Sequence, residues 1–497
     1  MRVVHRLLGA ACGALLLSLP IAPAHADPWL SPGDLGLRHD IEVLADADLL
    51  RGPVTTWPIS WPDVARDVNA ELQSGQNHPP EVLAALERVG RAARAAASNG
   101  FSGVGASLSG AVEPIDQRGF ADTPREEGEA AIGGSWLGDR FAAAVRVAAV
   151  ADPADGKKLR LDGSYVGVTV GNFMISAGAM DRWWGPGWDG SLILSSNARP
   201  IPSLTLERNY TDASRWPVLR WFGPWRASLA LGQEEGSGPG RPDTRFLAAR
   251  LNFKPRPWFE FGLSRTAQWC GKDRPCDLDA FWNLLLGRDN RSDSLTVDRE
   301  PGNQMAGYDF RLRSPWRRLP VAAYGQFIGE DEAGGLPAKF IGLLGLETWG
   351  GAGLGSWRVR AEFADTACSF TRQAPQYDCA YRSGLYPQGY SHRGRSIGHP
   401  LDNDGRMYSV AALLVRPSGD TLQLLLRRIE FNRDGRPDPS HLTSPAGASD
   451  VDNLELQYSR HWRGLTWVIG AGYDDRSGPA SAGSDARGFL RVSWGLR

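Results

Sequence analysis

The sequence predicts an all-β transmembrane barrel of about eighteen antiparallel strands, preceded by a small N-terminal α-helical domain. Three observations carry this. Around Phe101 the hydrophobic period switches from 3.6 to 2 and keeps that value to the C-terminus. Many candidate strands run about nine to eleven residues, the length that crosses a bilayer at a tilt. Trp258, Trp316, Trp357, Trp462 and Trp494 fall at or near strand ends, where interfacial girdles belong.

Residues 1–26 start basic, with Arg2, His5 and Arg6, continue through an apolar run and end on Ala24, His25 and Ala26. This is the pattern of a secretory signal, so the mature chain is expected to begin at Asp27. Residues 27–100 read as a periplasmic helical domain. Leu35, His39, Val43 and Ala47 share one helical face, with Ser31 and Pro32 placed to start the helix. Ser60 to Asp63 opens a second helix with Val64, Val68 and Leu72 on one side. After Pro79 and Pro80 a third carries Val82, Leu86, Val89 and Ala93.

Residues 101–497 are assigned to the barrel with extracellular loops. Phe141, Ala143, Val145 and Val147 alternate with Ala142, Ala144 and Arg146. Ala306, Tyr308, Phe310 and Leu312 alternate with Gly307, Asp309, Arg311 and Arg313. Alternation alone also fits a soluble sandwich. Strand length, aromatic placement and long rows of mixed charge on the polar faces favour the barrel with a filled polar lumen. From Thr421 to Asn432 the alternation blurs at Leu424, Leu425 and Leu426, which predicts a bulge. Short connections such as Arg463 and Gly464 suit periplasmic hairpins; the long ones, 270–303 and 368–406, suit loops outside the cell.

Composition narrows the function. A net charge of −1 over 497 residues removes nucleic acid as the main partner. Beyond residue 26 no apolar run approaches the ~20 residues of a spanning helix. Cys270 with Cys276 and Cys368 with Cys379 read as two local disulfides of an exported chain. No His stands at ligand spacing from these cysteines, so no metal is expected there. Asp402, Asn403, Asp404 and Gly405 match part of a calcium loop, but the closing Glu is missing. No cofactor and no catalytic residue is assigned. His392 and His399 with Asp402 and Asp404, or Glu362 with Asp365, offer acid–base sets. Each has a bland reading as solvated or charge-balancing groups, and no nucleophile motif accompanies them.

The densest stretch is 181–208, DRWWGPGWDGSLILSSNARPIPSLTLER. Gly185, Pro186 and Gly187 turn the chain sharply with Trp183, Trp184 and Trp188 on the shoulders. Two readings stand: an aromatic belt at the membrane interface, or a platform whose flat rings stack on sugars while Asn197 and Arg199 bind hydroxyls and acidic groups.

This stretch resembles the signature of the Wzi capsule assembly family, outer-membrane β-barrel proteins of Gram-negative bacteria. Residues 362–366 (EFADT), followed by 386–404 (YPQGYSHRGRSIGHPLDND), resemble later blocks of the same family, and 281–291 with Asn303 and Gln304 resemble a further one. The resemblance implies an outer-membrane, lectin-like protein that attaches capsular or extracellular polysaccharide to the cell surface and performs no chemistry. From position and chemistry, the candidate polysaccharide-binding residues are Trp183, Trp184, Trp188, Asn197, Arg199, Arg208, Tyr390, Arg393 and Arg395. The expected surroundings are outer-membrane lipid and a monomeric state. A diffusion channel and a surface glycan hydrolase are the competing readings.

Overall fold

The computed structural model describes residues 27–234, 242–285, 302–316, 318–333, 336–479 and 482–495. The expected signal segment lies outside them, as do residues 286–291 of the family-like block 281–291.

Eighteen strands close an antiparallel barrel. They are β1 (Gly100–Val112), β2 (Gly128–Leu137), β3 (Phe141–Ala151), β4 (Tyr165–Val170), β5 (Phe173–Gly178), β6 (Ser203–Arg208), β7 (Trp225–Gln233), β8 (Thr244–Arg256), β9 (Phe259–Cys270), β10 (Gly302–Arg313), β11 (Val321–Ala333), β12 (Leu336–Ala352), β13 (Gly355–Asp365), β14 (Arg406–Val415), β15 (Thr421–Phe431), β16 (Ser449–Trp462), β17 (Leu465–Ser477) and β18 (Gly483–Trp494). β18 pairs with β1 through Trp494 and Ala106, so the sheet has no free edge. A two-residue strand, Leu159–Arg160, pads the upper part of β3.

Alternation sorts the side chains as closure requires. Phe141, Val145, Leu422, Leu424, Leu454 and Leu456 point outward and exposed, whereas Asp309, Arg311, Glu347, Arg358 and Arg427 point inward and buried. An edge-free sheet with an apolar skin can span a bilayer because every backbone group on the wall is paired. The five tryptophans named above lie toward the end with short turns, among them 257–258, 353–354 and 463–464. The segments 113–127, 179–202, 366–405 and 432–448 all leave the opposite end.

Among the described residues four α-helices accompany the strands: α1 (Leu35–Asp46), α2 (Trp61–Ser74), α3 (Pro80–Ala96) and α4 (Leu278–Leu285), the last inside a long loop. Asp34, not Ser31, caps α1, its carboxylate accepting the Leu37 N–H at 3.0 Å. The helical segment is not set apart from the barrel. α1 is buried along nearly its whole length and carries Arg38, Asp40, Glu42 and Asp46 inside. These charges are tolerated because the barrel interior supplies partners: Arg311 donates to Asp46 at 2.7 and 2.9 Å, and Arg358 lies 3.1 Å from Glu42. α1 therefore stops the short-turn mouth.

Two further expectations change. β15 has no bulge; it pairs without register shift on both sides. Its alternation is masked because Leu425 faces inward and Arg428 outward. β4, β5 and β6 have six residues each, well short of the rest, because residues 152–164 and 179–202 fold in beside them.

Candidate functional site

Residues 179–202 turn into the lumen instead of lying on the surface. Trp183–Trp184 pairs as a two-stranded ribbon with Thr56–Trp57 from the helical segment, joining what enters from one mouth to what enters from the other. The wall grips the turn that follows. Glu362 of β13 accepts the backbone N–H groups of Trp188 and Asp189 at 2.6 and 2.9 Å and the Tyr324 hydroxyl at 2.6 Å. Gln326 accepts the Leu192 N–H at 2.7 Å and donates to the Trp184 carbonyl at 2.8 Å. Arg427 holds Asp189 with two bonds, 2.9 and 2.7 Å.

Trp183, Trp184 and Trp188 are 0, 0 and 2% exposed. Trp183 and Trp188 pack around Phe120, which meets Trp57 and Trp183 edge-on with ring centroids 5.0 and 5.4 Å away. Neither the belt nor the platform reading describes them. No ring face is open to lipid or to a polymer, because this aromatic cluster is the core of the lumenal plug.

The loop 366–405 closes over this hairpin. The Ser195 N–H donates to the Ile397 carbonyl at 3.0 Å, and the hydroxyls of Tyr381 and Tyr390 donate to the carbonyls of Leu192 and Ile193, each at 2.6 Å. Tyr390, also expected to bind polymer, is a buried strap stacked on Tyr381. Asn197 is buried as well, donating to the Ser396 carbonyl at 3.0 Å. Gly190 and His399 mark how closely the layers meet: a Cβ on Gly190 would run into the His399 ring. Burial pushes the His399 imidazole down to about 4, so it packs as a neutral ring.

Above the plug a short hairpin, Ser391–His392 paired with Arg395–Ser396, turns through Arg393 and Gly394. Both turn residues have positive φ, 55° and 76°, the two-residue type I′ form that usually takes Asn-Gly. Arg in the first position is backbone strain kept at a loop tip. Arg393 and Arg395 are half-buried, and Arg395 donates to the Asp116 carbonyl at 3.2 Å. Around the tip gather residues that sequence reasoning did not select: Arg118, Arg125, Arg160, Asp155 and Asp162.

Arg199 is already engaged, its guanidinium on Asp162 at 2.7 and 2.8 Å and on Asp155. Burial works against that charge, but the Asp162 and Asp155 carboxylates raise its pKa overall. Burial and then the neighbouring Arg199 push His392 down to about 4. Several buried polar atoms here make no hydrogen bond among the described residues: Oδ1 of Asn197, Nδ1 of His392, Oγ of Ser396 and both side-chain atoms of Gln117. Arg208 is not part of this cluster. It sits at the short-turn end of β6, stacked 3.9 Å over Trp225 and donating to the carbonyls of Trp225 and Asp212.

The acid–base set of Glu362 and Asp365 is spoken for. Glu362 grips the hairpin, while Asp365 accepts Arg406 at 2.9 Å, Arg433 at 3.0 Å and the Ala367 N–H at 3.0 Å.

A barrel of eighteen strands with an apolar outer skin, stopped by a helix at one mouth and by an inturned hairpin at the other, defines an outer-membrane-type barrel built around a plug and an array of surface loops. The model of the capsule assembly protein Wzi matches residues 117–487, and the chain belongs to that family. An uncharacterized 55.8 kDa protein in the cps region of Klebsiella pneumoniae is 30% identical over 365 residues, which is 71% of this chain and 69% of that protein. The solved structure of Wzi from Escherichia coli superposes with a TM-score of 0.82 at 24% identity, covering 94% of this chain and 99% of that one. That protein is described as an outer membrane protein involved in group 1 capsule assembly and as a carbohydrate-binding β-barrel.

Proposed function

We propose that this protein sits in the outer membrane and retains capsular or related extracellular polysaccharide at the cell surface, binding the polymer without altering it. The observation that carries the reading is the family match across residues 117–487, which takes in the segments 179–202, 366–405 and 432–448. The geometry supports the same view. The short-turn mouth with α1 to α3 faces the periplasm, and the loop-bearing mouth faces outward, as such barrels are built. One chain closes the barrel, so a monomer suffices.

Within this reading the polymer lies across the His392–Arg395 hairpin tip. Arg393 and Arg395, the half-buried cations at the tip, engage acidic groups of the polymer. A role as a diffusion channel is opposed by the ribbon and the Glu362, Gln326 and Arg427 contacts that fill the lumen. A glycan array probed with detergent-purified protein tests the reading directly. Saturable binding to acidic polysaccharides supports it; binding to no glycan counts against it.

A further inference from the structure

Three carboxylate or imidazole side chains from distant parts of the loop layer converge beside the Cys368–Cys379 disulfide. Asp378, Asp404 and His441 each offer a ligand atom, and these atoms all lie within 4.8 Å of one another. Asp404 is fully buried and its orientation is fixed, because both carboxylate oxygens accept the Asp378 backbone N–H, at 3.1 and 2.9 Å. His441 is 2% exposed, and its Nε2 makes no hydrogen bond among the described residues although it lies 3.9 Å from Asp378 Oδ1. A buried imidazole nitrogen aimed at two carboxylates without a partner is costly to leave so.

We propose that Asp378, Asp404 and His441 bind one divalent transition ion of the zinc class. One imidazole and two carboxylates are a donor set for zinc, with water completing the tetrahedron, whereas calcium asks for six to eight oxygens. Asp378 is partly exposed, which gives the ion a way in. The ion would tie residue 378 and residue 404 of one long loop to residue 441 of the next, fastening a layer that has no core of its own. Arg382 competes for the place. Its guanidinium is bonded to Asp378 and, at 2.7 Å, to Asp438, but it is part exposed and able to swing out. The site does not depend on the polysaccharide reading.

Titration calorimetry of the full-length, detergent-solubilised protein with zinc chloride alone tests it. One ion per chain is expected. His441→Ala and Asp404→Asn should each weaken binding about tenfold or more, His392→Ala should leave it unchanged, and Arg382→Ala should tighten it by removing a competing cation. Zinc should also slow proteolysis within 432–448 in the unmodified protein and not in His441→Ala. Absence of saturable binding, or an affinity in the His441 and Asp404 variants equal to that of the unmodified protein, overturns the proposal.

Discussion

Arg38 of α1 donates to the carbonyl oxygens of Pro186 and Gly187 at 2.7 and 2.9 Å, so a helix entering from the short-turn mouth is bonded to a hairpin entering from the other. The same guanidinium stacks 4.0 Å from the Trp188 ring and holds Glu42 at 2.9 Å. Arg38→Ala removes the donor to two buried carbonyls, while Glu42 keeps Arg358 at 3.1 Å, a loss of about 1 to 3 kcal/mol at this contact. The unmodified barrel should be electrically quiet in planar bilayers and the variant should show open bursts. An equally quiet variant would place the seal elsewhere.

Gly190→Ala should disturb the plug, since its new methyl group meets the His399 ring. Overpacking of this kind costs about 1 to 3 kcal/mol. The cost should shrink in the double variant Gly190→Ala, His399→Ala, a coupling read from a double-mutant cycle. Emission from the buried tryptophan cluster during urea unfolding reports it, and strictly additive effects would show that the two residues do not touch.

Most of the wall is legible in the sequence because closure imposes a strict period of two, and the outward residues of β3 and β10 match the predicted faces. The interior is not legible. A stretch that fills a lumen is apolar and turn-rich just as an interface belt or a sugar platform is, so 181–208 is ambiguous without knowledge of where it points. Arg208 looks continuous with Arg199 in sequence, but the six residues of β6 carry it to the other mouth. His441 lies 37 positions beyond Asp404, and no local spacing brings them together.

Joining Cys368 to Cys379 closes a loop of eleven residues, worth about 3 kcal/mol of chain entropy. Cys368→Ser with Cys379→Ser should speed proteolytic cutting between 369 and 378. The barrel itself should keep its resistance to heat in detergent, because neither cysteine lies on a membrane strand. Loss of the folded barrel would contradict this division.

His392 and His399 are held near 4 by burial, below the 6.5 of an unfolded imidazole. Between those values the unfolded loop binds more protons than the folded one, so the loop layer loses stability as pH falls from 6.5 toward 4. The slope is about 1.4 kcal/mol per pH unit for each histidine. Protection against hydrogen exchange across 386–404, corrected for the intrinsic rate at each pH, should fall in that window and level off above it. His399→Phe should flatten part of the slope; an unchanged profile would exclude His399 as a source.

The most direct measurement is the amount of polysaccharide that stays with the cells. In a strain lacking the protein, polymer should be made at the usual rate but pass into the medium. Restoring the unmodified protein should return it to the cells, whereas the Arg393→Ala, Arg395→Ala variant, folded and present in the outer membrane, should not. Equal retention with and without the protein would contradict the account.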